Sequence, residues 1–494
     1  MGLFSVKPSH PLSDDKEREL VLRRLASGES LAALKEATDW LQTLSDAHGT
    51  PFAVRSALML QIDNAAQRPA RALGRYYLTT PHLAERDALN LWRACRGFWA
   101  QLGVTYSACL ADFAQSSERP ESNRVELTRL TVRLLRAYAV RLQWSQYRYW
   151  PVSDLFWQNV GRAYLYALDN GYVRREISVY PGDREQTTVE REYLRALVFQ
   201  ISATDGLLPF EIEIAGALIA HLREWFEITI EPHAGFAYCI DPERRNSPSR
   251  IVSKLEPSLS RVYFSTVGAL RRLQQLQETL ERGELPHDME VARYQSPQMI
   301  LPVVRHLAAQ WAEQPRKREH GRYRARMQVT AVSGLDTIRR CLVWPALAQS
   351  MTKKWVIEDV SLGGFRARIP LEPEKQLRIG TLLGFQLEGS HDWIVGVVRR
   401  ASRESETRGL AGVETLSKNA IAVTVGRDGP VDALLLDPPE EGDTARLLLR
   451  ETGEDWEGPM PCAVLGTTFG LVLVELVERG ADFQLVRCRV VESP

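Results

Sequence analysis

A chain of 494 residues is too long for one ordinary hydrophobic core and implies two or three domains. Its 44% apolar and 25% charged residues are those of a globular protein and argue against disorder. With 62 basic and 62 acidic side chains there is no global field to draw nucleic acid or a membrane surface, so any anion site must be local.

The start, Met1-Gly-Leu-Phe-Ser-Val-Lys7, has no signal-peptide core, and Val6 stands where a myristoylation signal after Gly2 needs Ser or Thr. Residues 1–13 read as a flexible terminus. From about Asp14 to Trp150 apolar residues recur at three- and four-residue intervals, which predicts helix nearly throughout. The clearest helix is expected to open at Asn123, where Asn123 and Glu126 have capping-box spacing, and to run past Trp144. Val125, Leu127, Leu130, Leu134, Leu135, Tyr138 and Leu142 form its apolar side, and Arg129, Arg133 and Arg136 read as a solvated stripe opposite. The aromatic set Trp92, Phe98, Trp99, Trp144, Tyr147, Tyr149, Trp150 and Trp157 reads as core. Further helices are expected at about 187–203 and 209–228, the second opening on Pro209. A strand-like piece follows at Phe236–Ile240, then a polar loop to Pro248, and helices resume at 265–282, closed by Gly283, and at 298–313. No fixed-period repeat is visible, and stacked helical hairpins fit the pattern.

After Pro315 the periodicity changes from helical to alternating. Residues 324–332, 354–360, 365–369, 382–387, 393–399 and 409–414 predict the strands of a small antiparallel barrel, with Ile421–Val425 available to close it. A second β-rich block runs from about Val431 to Val491. The fold expected is multidomain α+β: an all-helical region over 14–312, with two subdomains of stacked hairpins as one arrangement, a basic arm over 313–326, a β-barrel over 327–426, and a β-rich C-terminal domain over 427–494. No apolar run reaches membrane-spanning length, and six cysteines without CxxC spacing predict reduced thiols in the cytoplasm.

One stretch carries chemistry. Between two alternating segments stands Asp359-Val-Ser361-Leu-Gly363-Gly364, followed by Phe365-Arg366-Ala-Arg368. Glycine lets backbone approach a ligand, serine offers a donor and two acceptors, and aspartate accepts from paired N–H groups. Upstream lies the basic run Arg316-Lys-Arg318-Glu-His320-Gly-Arg322-Tyr-Arg324-Ala-Arg326. RxxxR alone says little, since it recurs at Arg71/Arg75, Arg129/Arg133, Arg191/Arg195 and Arg399/Arg403, whereas DxSxxG occurs once.

An RxxxR run followed by DxSxxG on a β-rich segment resembles the PilZ family, the bacterial receptors for cyclic di-GMP; the resemblance covers residues 316–425. It implies a barrel that binds cyclic di-GMP through Arg318 and Arg322 on the arm and Asp359, Ser361 and Gly364 on the barrel, with Arg326, Gly363 and Arg366 as additional contacts. Arg322/Arg326 meets the same spacing as Arg318/Arg322; the earlier pair leaves Arg324 onward for the first strand. In the family the arm is ordered by its ligand, which would reorient the neighbouring helical region. Two departures stand out: the interval from Arg322 to Asp359 is lengthened by an insertion over 333–354 containing Arg339 and Arg340, and Gly412-Val-Glu414 lacks the family's common Phe.

Enzyme signatures are missing. His287-Asp288 falls in a loop, His391-Asp392 in a β turn, and His221-Leu-Arg-Glu224 lacks a second histidine. There is no P-loop, nucleophile elbow or dinucleotide-fold fingerprint, and no signature of the enzymes that make or break cyclic di-GMP. The expectation is a non-enzymatic cytoplasmic receptor with no metal and no cofactor beyond its ligand, relaying cyclic di-GMP to a protein partner through its helical region, with no DNA or RNA partner. The alternative is an interaction scaffold whose barrel binds no nucleotide.

Overall fold

The computed structural model describes residues 10–80, 83–117, 119–183, 185–231, 233–252, 258, 260–286, 296–314, 321–344, 352–372, 378–426, 429–440, 442–450, 458–464 and 467–492. The chain forms two compact units. The first comprises Met1–Tyr147, Val152–Thr204 and Pro209–Arg316; the second comprises Arg148–Pro151, Asp205–Leu208 and Lys317–Pro494.

The first unit contains α1 (Asp15–Ser27), α2 (Ser30–Ser45), α3 (Phe52–Thr79), α4 (Glu85–Gln115), α5 (Pro120–Gln146) and α6 (Asp154–Asp169). After a short antiparallel pair of strands, β1 (Ile177–Ser178) with β2 (Gln186–Thr187), come α7 (Val189–Ile201) and α8 (Pro209–His221). Strands β3 (Glu227–Thr229), β4 (Tyr238–Ile240), β5 (Ser249–Arg250) and β6 (Val262–Ser265) form a small antiparallel sheet in the order β3-β6-β4-β5, and α9 (Val267–Glu281) and α10 (Pro297–Trp311) follow. The helical region thus holds a sheet where the sequence suggested one strand-like piece. The helix expected to reach residue 228 stops at His221, and residues 227–229 pair with β6 instead. No described helix is long and apolar enough to cross a membrane.

Helix α5 opens three residues before Asn123, with Pro120 at its first position, where the missing proline N–H has no intrahelical role to lose. Its arginine stripe is a correction to the sequence reading: Arg133 is buried and Arg136 largely so, because each has a buried carboxylate to meet. Arg136 forks onto Glu192 of α7, with both bonds at 2.6 Å, and Thr187 adds a third at 3.0 Å. Burial alone would raise the Glu192 carboxyl; the guanidinium and these hydrogen bonds overcome it and hold the pKa at about 2. A carboxyl lowered in the folded state gives stability that is complete above its unfolded value and lost as pH falls through the folded one. Unfolding midpoints should therefore be flat near neutrality and drop between about pH 5 and pH 2, and Glu192→Gln should flatten that slope.

The second unit begins with β7 (Tyr323–Ser333) and α11 (Leu335–Val343), then β8 (Lys353–Ser361), β9 (Gly364–Pro370), β10 (Leu382–Leu387), β11 (Ile394–Arg403) and β12 (Arg408–Ser417). These strands close a barrel in the order β7-β8-β9-β12-β11-β10, all pairs antiparallel, with β10 returning to β7. Inside it Val329, Trp355, Ile357, Phe365, Ala367, Phe385, Val398 and Val413 pack together, the inward members of the predicted alternation. Strand begins at Tyr323, so the basic arm ends sooner than residue 326.

Ile421–Val425, expected to close this barrel, opens the next one. Strands β13 (Ile421–Val425), β14 (Val431–Leu435), β15 (Thr444–Leu449), β16 (Met460–Val464), β17 (Thr467–Arg479) and β18 (Gln484–Val491) close in the order β13-β14-β15-β18-β17-β16. The two barrels have the same connectivity: in each, the third strand pairs the sixth and the first pairs the fourth. The insertion over 333–354 supplies α11, whose Leu335, Ile338 and Cys341 fill a shared core with Leu382, Val395 and Val397 of the first barrel and Leu434, Leu448 and Leu485 of the second. Arg339 ties the helix to Asp432 at 2.9 Å, and Arg399 joins Glu414 to Glu478 across the same seam.

Candidate ligand-binding site

The DxSxxG stretch is the end of β8, a two-residue turn and the start of β9. Ser361 pairs with Gly364 across the turn and donates its hydroxyl to the Gly364 carbonyl at 3.1 Å. The glycine pair brings this turn onto β12. The Gly363 carbonyl accepts from the Thr415 N–H at 3.0 Å, and a Cβ on Gly364 would lie 2.1 Å from the Val413 carbonyl oxygen. Gly364 is thus demanded by the packing of two strands. Gly364→Ala is expected to lower stability by about 3 kcal/mol, read from denaturant unfolding, because backbone must move to admit the methyl group.

Regular alternation would put Glu358 and Asp359 on opposite faces of β8. The register shifts between Ile357 and Asp359 against β9, and between Arg324 and Met327 on β7, so Glu358 is a bulged residue facing a bulge on the neighbouring strand. Both carboxylates consequently reach the outer face. Asp359 accepts from Arg322 Nη1 at 2.9 Å through Oδ1 and meets Arg366 Nε at 3.2 Å through Oδ2. Glu358 meets Arg366 Nη2 at 3.2 Å and Arg368 Nη2 at 2.6 Å, and Arg368 continues to Glu404 at 3.2 Å.

Glu358, Asp359, Arg366 and Arg368 line a concavity of ≈ 540 Å³ together with Arg324, Ala325, Arg326, Val356 and Ile357. Its lining carries two more guanidiniums than carboxylates, an excess positive charge on an otherwise neutral chain. The Asp359 side chain keeps 14% of its exposure and that of Arg322 keeps 38%, so the pair is sheltered yet open to a ligand. Each Asp359 oxygen has a second lone pair beyond the arginine bond it makes.

Among the residues picked from sequence, the structure brings together Arg322, Arg326, Asp359 and Arg366, and sets Ser361, Gly363 and Gly364 on the adjoining turn. Arg318 lies outside the described residues, as does the His287-Asp288 dipeptide. Sequence reasoning assigned no role to Arg324, Glu358 or Arg368. Arg368 could have been found from its two-residue spacing after Arg366, which places both on one face of β9. Glu358 could not, because only the bulge turns it outward.

Two family models match the chain. Cyclic-di-GMP receptor FimW, N-terminal domain, matches residues 17–233, and Cyclic-di-GMP receptor FimW, middle PilZ domain, matches residues 347–421. No curated protein matches it. The second match spans β8 to β12, the turn at Ser361–Gly364 and the Asp359 corner. With both domains present over more than half its length, the chain belongs to the FimW family of cyclic-di-GMP receptors and carries that family's PilZ domain.

Proposed function

We propose that the concavity beside Asp359 is where this receptor holds cyclic di-GMP, and that the bound state is passed to a protein partner through the helical unit. The observation that carries the reading is the meeting of Arg322 and Arg366 on the two oxygens of one sheltered aspartate, beside further arginines. The ligand has two phosphodiesters and two guanines. Guanidinium forks pair with phosphate oxygens or with guanine O6 and N7, and their planes stack on bases. Asp359 accepts from the guanine N1–H and N2–H groups, and the Ser361 oxygen offers a further acceptor. Arg318 and Arg326 are assigned to the ligand with Arg322; Gly363 and Gly364 hold the turn at the edge of the site.

Passage of the signal is supported by chain order. The first unit ends at Arg316 and the main segment of the second starts at Lys317, a few residues before Arg322. A ligand that recruits Arg322 acts on the segment joining the two units and shifts the population of their arrangements. The protein works in this reading as a cytoplasmic receptor without a catalytic step and needs no cofactor besides its ligand.

Titration calorimetry on the intact protein tests the site. Cyclic di-GMP should give saturable heat, and Arg322→Ala should weaken binding by about tenfold to a hundredfold, as expected for losing a charge-assisted contact. Absence of heat with the unmodified protein would favour a scaffold whose barrel takes no nucleotide. A partner that co-purifies equally with and without the dinucleotide would refute the relay.

A further inference from the structure

A second arginine-lined concavity lies in the first unit, away from the barrel in sequence and within the stretch matched by the N-terminal family model. It measures ≈ 750 Å³, within the size range of small-molecule sites, and is lined by Asn64, Gln67, Arg68, Arg71, Ala72 and Arg75 of α3 and by Tyr180, Pro181, Gly182 and Asp183. Arg68, Arg71 and Arg75 fall at i, i+3 and i+7, so they stand on one face of α3 over about 10 Å of its axis. Arg71/Arg75 is one of the RxxxR pairs that sequence alone treats as an ordinary helix face.

Two observations set it apart from a solvated stripe. Arg71 is exposed and makes no hydrogen bond or ion pair among the described residues, while exposed Arg68 donates only to the Ala26 carbonyl, at 3.5 Å. The facing wall is fixed: the Tyr180 N–H donates to Asp183 at 3.0 Å, the Tyr180 hydroxyl reaches buried Asp63 at 3.4 Å, and the Arg133 guanidinium lies over the Tyr180 ring at 4.6 Å. Gly182, at a φ of +90°, makes the turn that carries this wall.

We propose that this groove is a second ligand site, taking a phosphate-bearing small molecule of nucleotide size. The arginines bind its phosphates. Three guanidiniums lining one concavity against a fixed wall suit a compact polyanion better than an acidic peptide, which needs an extended track.

The test is calorimetry on the full-length chain with pyrophosphate, ATP, GTP and cyclic di-GMP as probes, in the unmodified protein, Arg71→Glu, Arg68→Glu and Arg322→Ala. At least one probe should bind with an affinity that falls about tenfold or more in Arg71→Glu and in Arg68→Glu while surviving Arg322→Ala. Thermal melts of the exposed-arginine variants should match the parent, which separates lost binding from lost folding. Cyclic di-GMP that binds in Arg322→Ala and not in Arg71→Glu would place the dinucleotide in this groove and refute the barrel reading; cyclic di-GMP lost only in Arg322→Ala leaves the groove to the other probes. The proposal is overturned if no phosphate probe binds outside the barrel, or if binding there is indifferent to both glutamate substitutions.

Discussion

In Asp359→Ala, the affinity for cyclic di-GMP measured by calorimetry is expected to fall by about a hundredfold or more, a larger loss than for either arginine alone. Among the described residues this carboxylate joins two parts of the site: Arg322 from just before β7 and Arg366 from β9. In the proposed binding mode its removal takes away the acceptor for guanine N–H donors, and it frees both guanidiniums from the ion pairs that hold them. Glu358 is the matched control, since it sits on the same face and shares Arg366 but makes its other contact with Arg368. Glu358→Gln removes a negative charge from the lining and should leave affinity unchanged or raise it. Equal losses in the two variants would mean that the cluster matters only as an ion-pair network, and that Asp359 has no contact with the ligand.

Arg133→Ala is expected to cost about 3–5 kcal/mol of stability, the range for breaking a buried ion pair from one side. Asp63 is fully buried on α3, where it meets Arg133 at 3.0 Å, Tyr106 at 2.7 Å and Gln67 at 2.6 Å. Arg133 also donates to the Val179 carbonyl at 2.8 Å. Truncating the arginine leaves the carboxylate in a dry interior without its cation. Replacing both partners by apolar residues, Asp63→Leu with Arg133→Met, should recover part of the loss, because no charge is then stranded. Urea unfolding of the single and double variants gives both numbers. A loss below about 1 kcal/mol for Arg133→Ala would mean that water reaches the pair.

The same arginine shows where reading along the chain failed. Arg129, Arg133 and Arg136 sit opposite the leucines of α5, and on an isolated helix that face would be wet. Helix α5 packs against α4, α6 and α7, and the carboxylates of Asp63 and Glu192 come from elements far away in the chain. Nothing local marks an arginine as bound for such a partner. The start of α5 was missed for the opposite reason: the Asn123/Glu126 spacing is a valid local signal, but Pro120 is a stronger one and stands just upstream.

What this sequence determined by itself is the change from helical to alternating periodicity after Pro315, most strands of the first barrel and the DxSxxG turn, because those features depend on residue spacing within a few positions. The tertiary structure alone decided that Ile421–Val425 belongs to a second barrel, that α11 packs between the two, and that a pair of bulges turns Glu358 and Asp359 to one face. Each of those outcomes depends on which distant strand supplies the partner hydrogen bonds, and a period of two residues is silent about that choice.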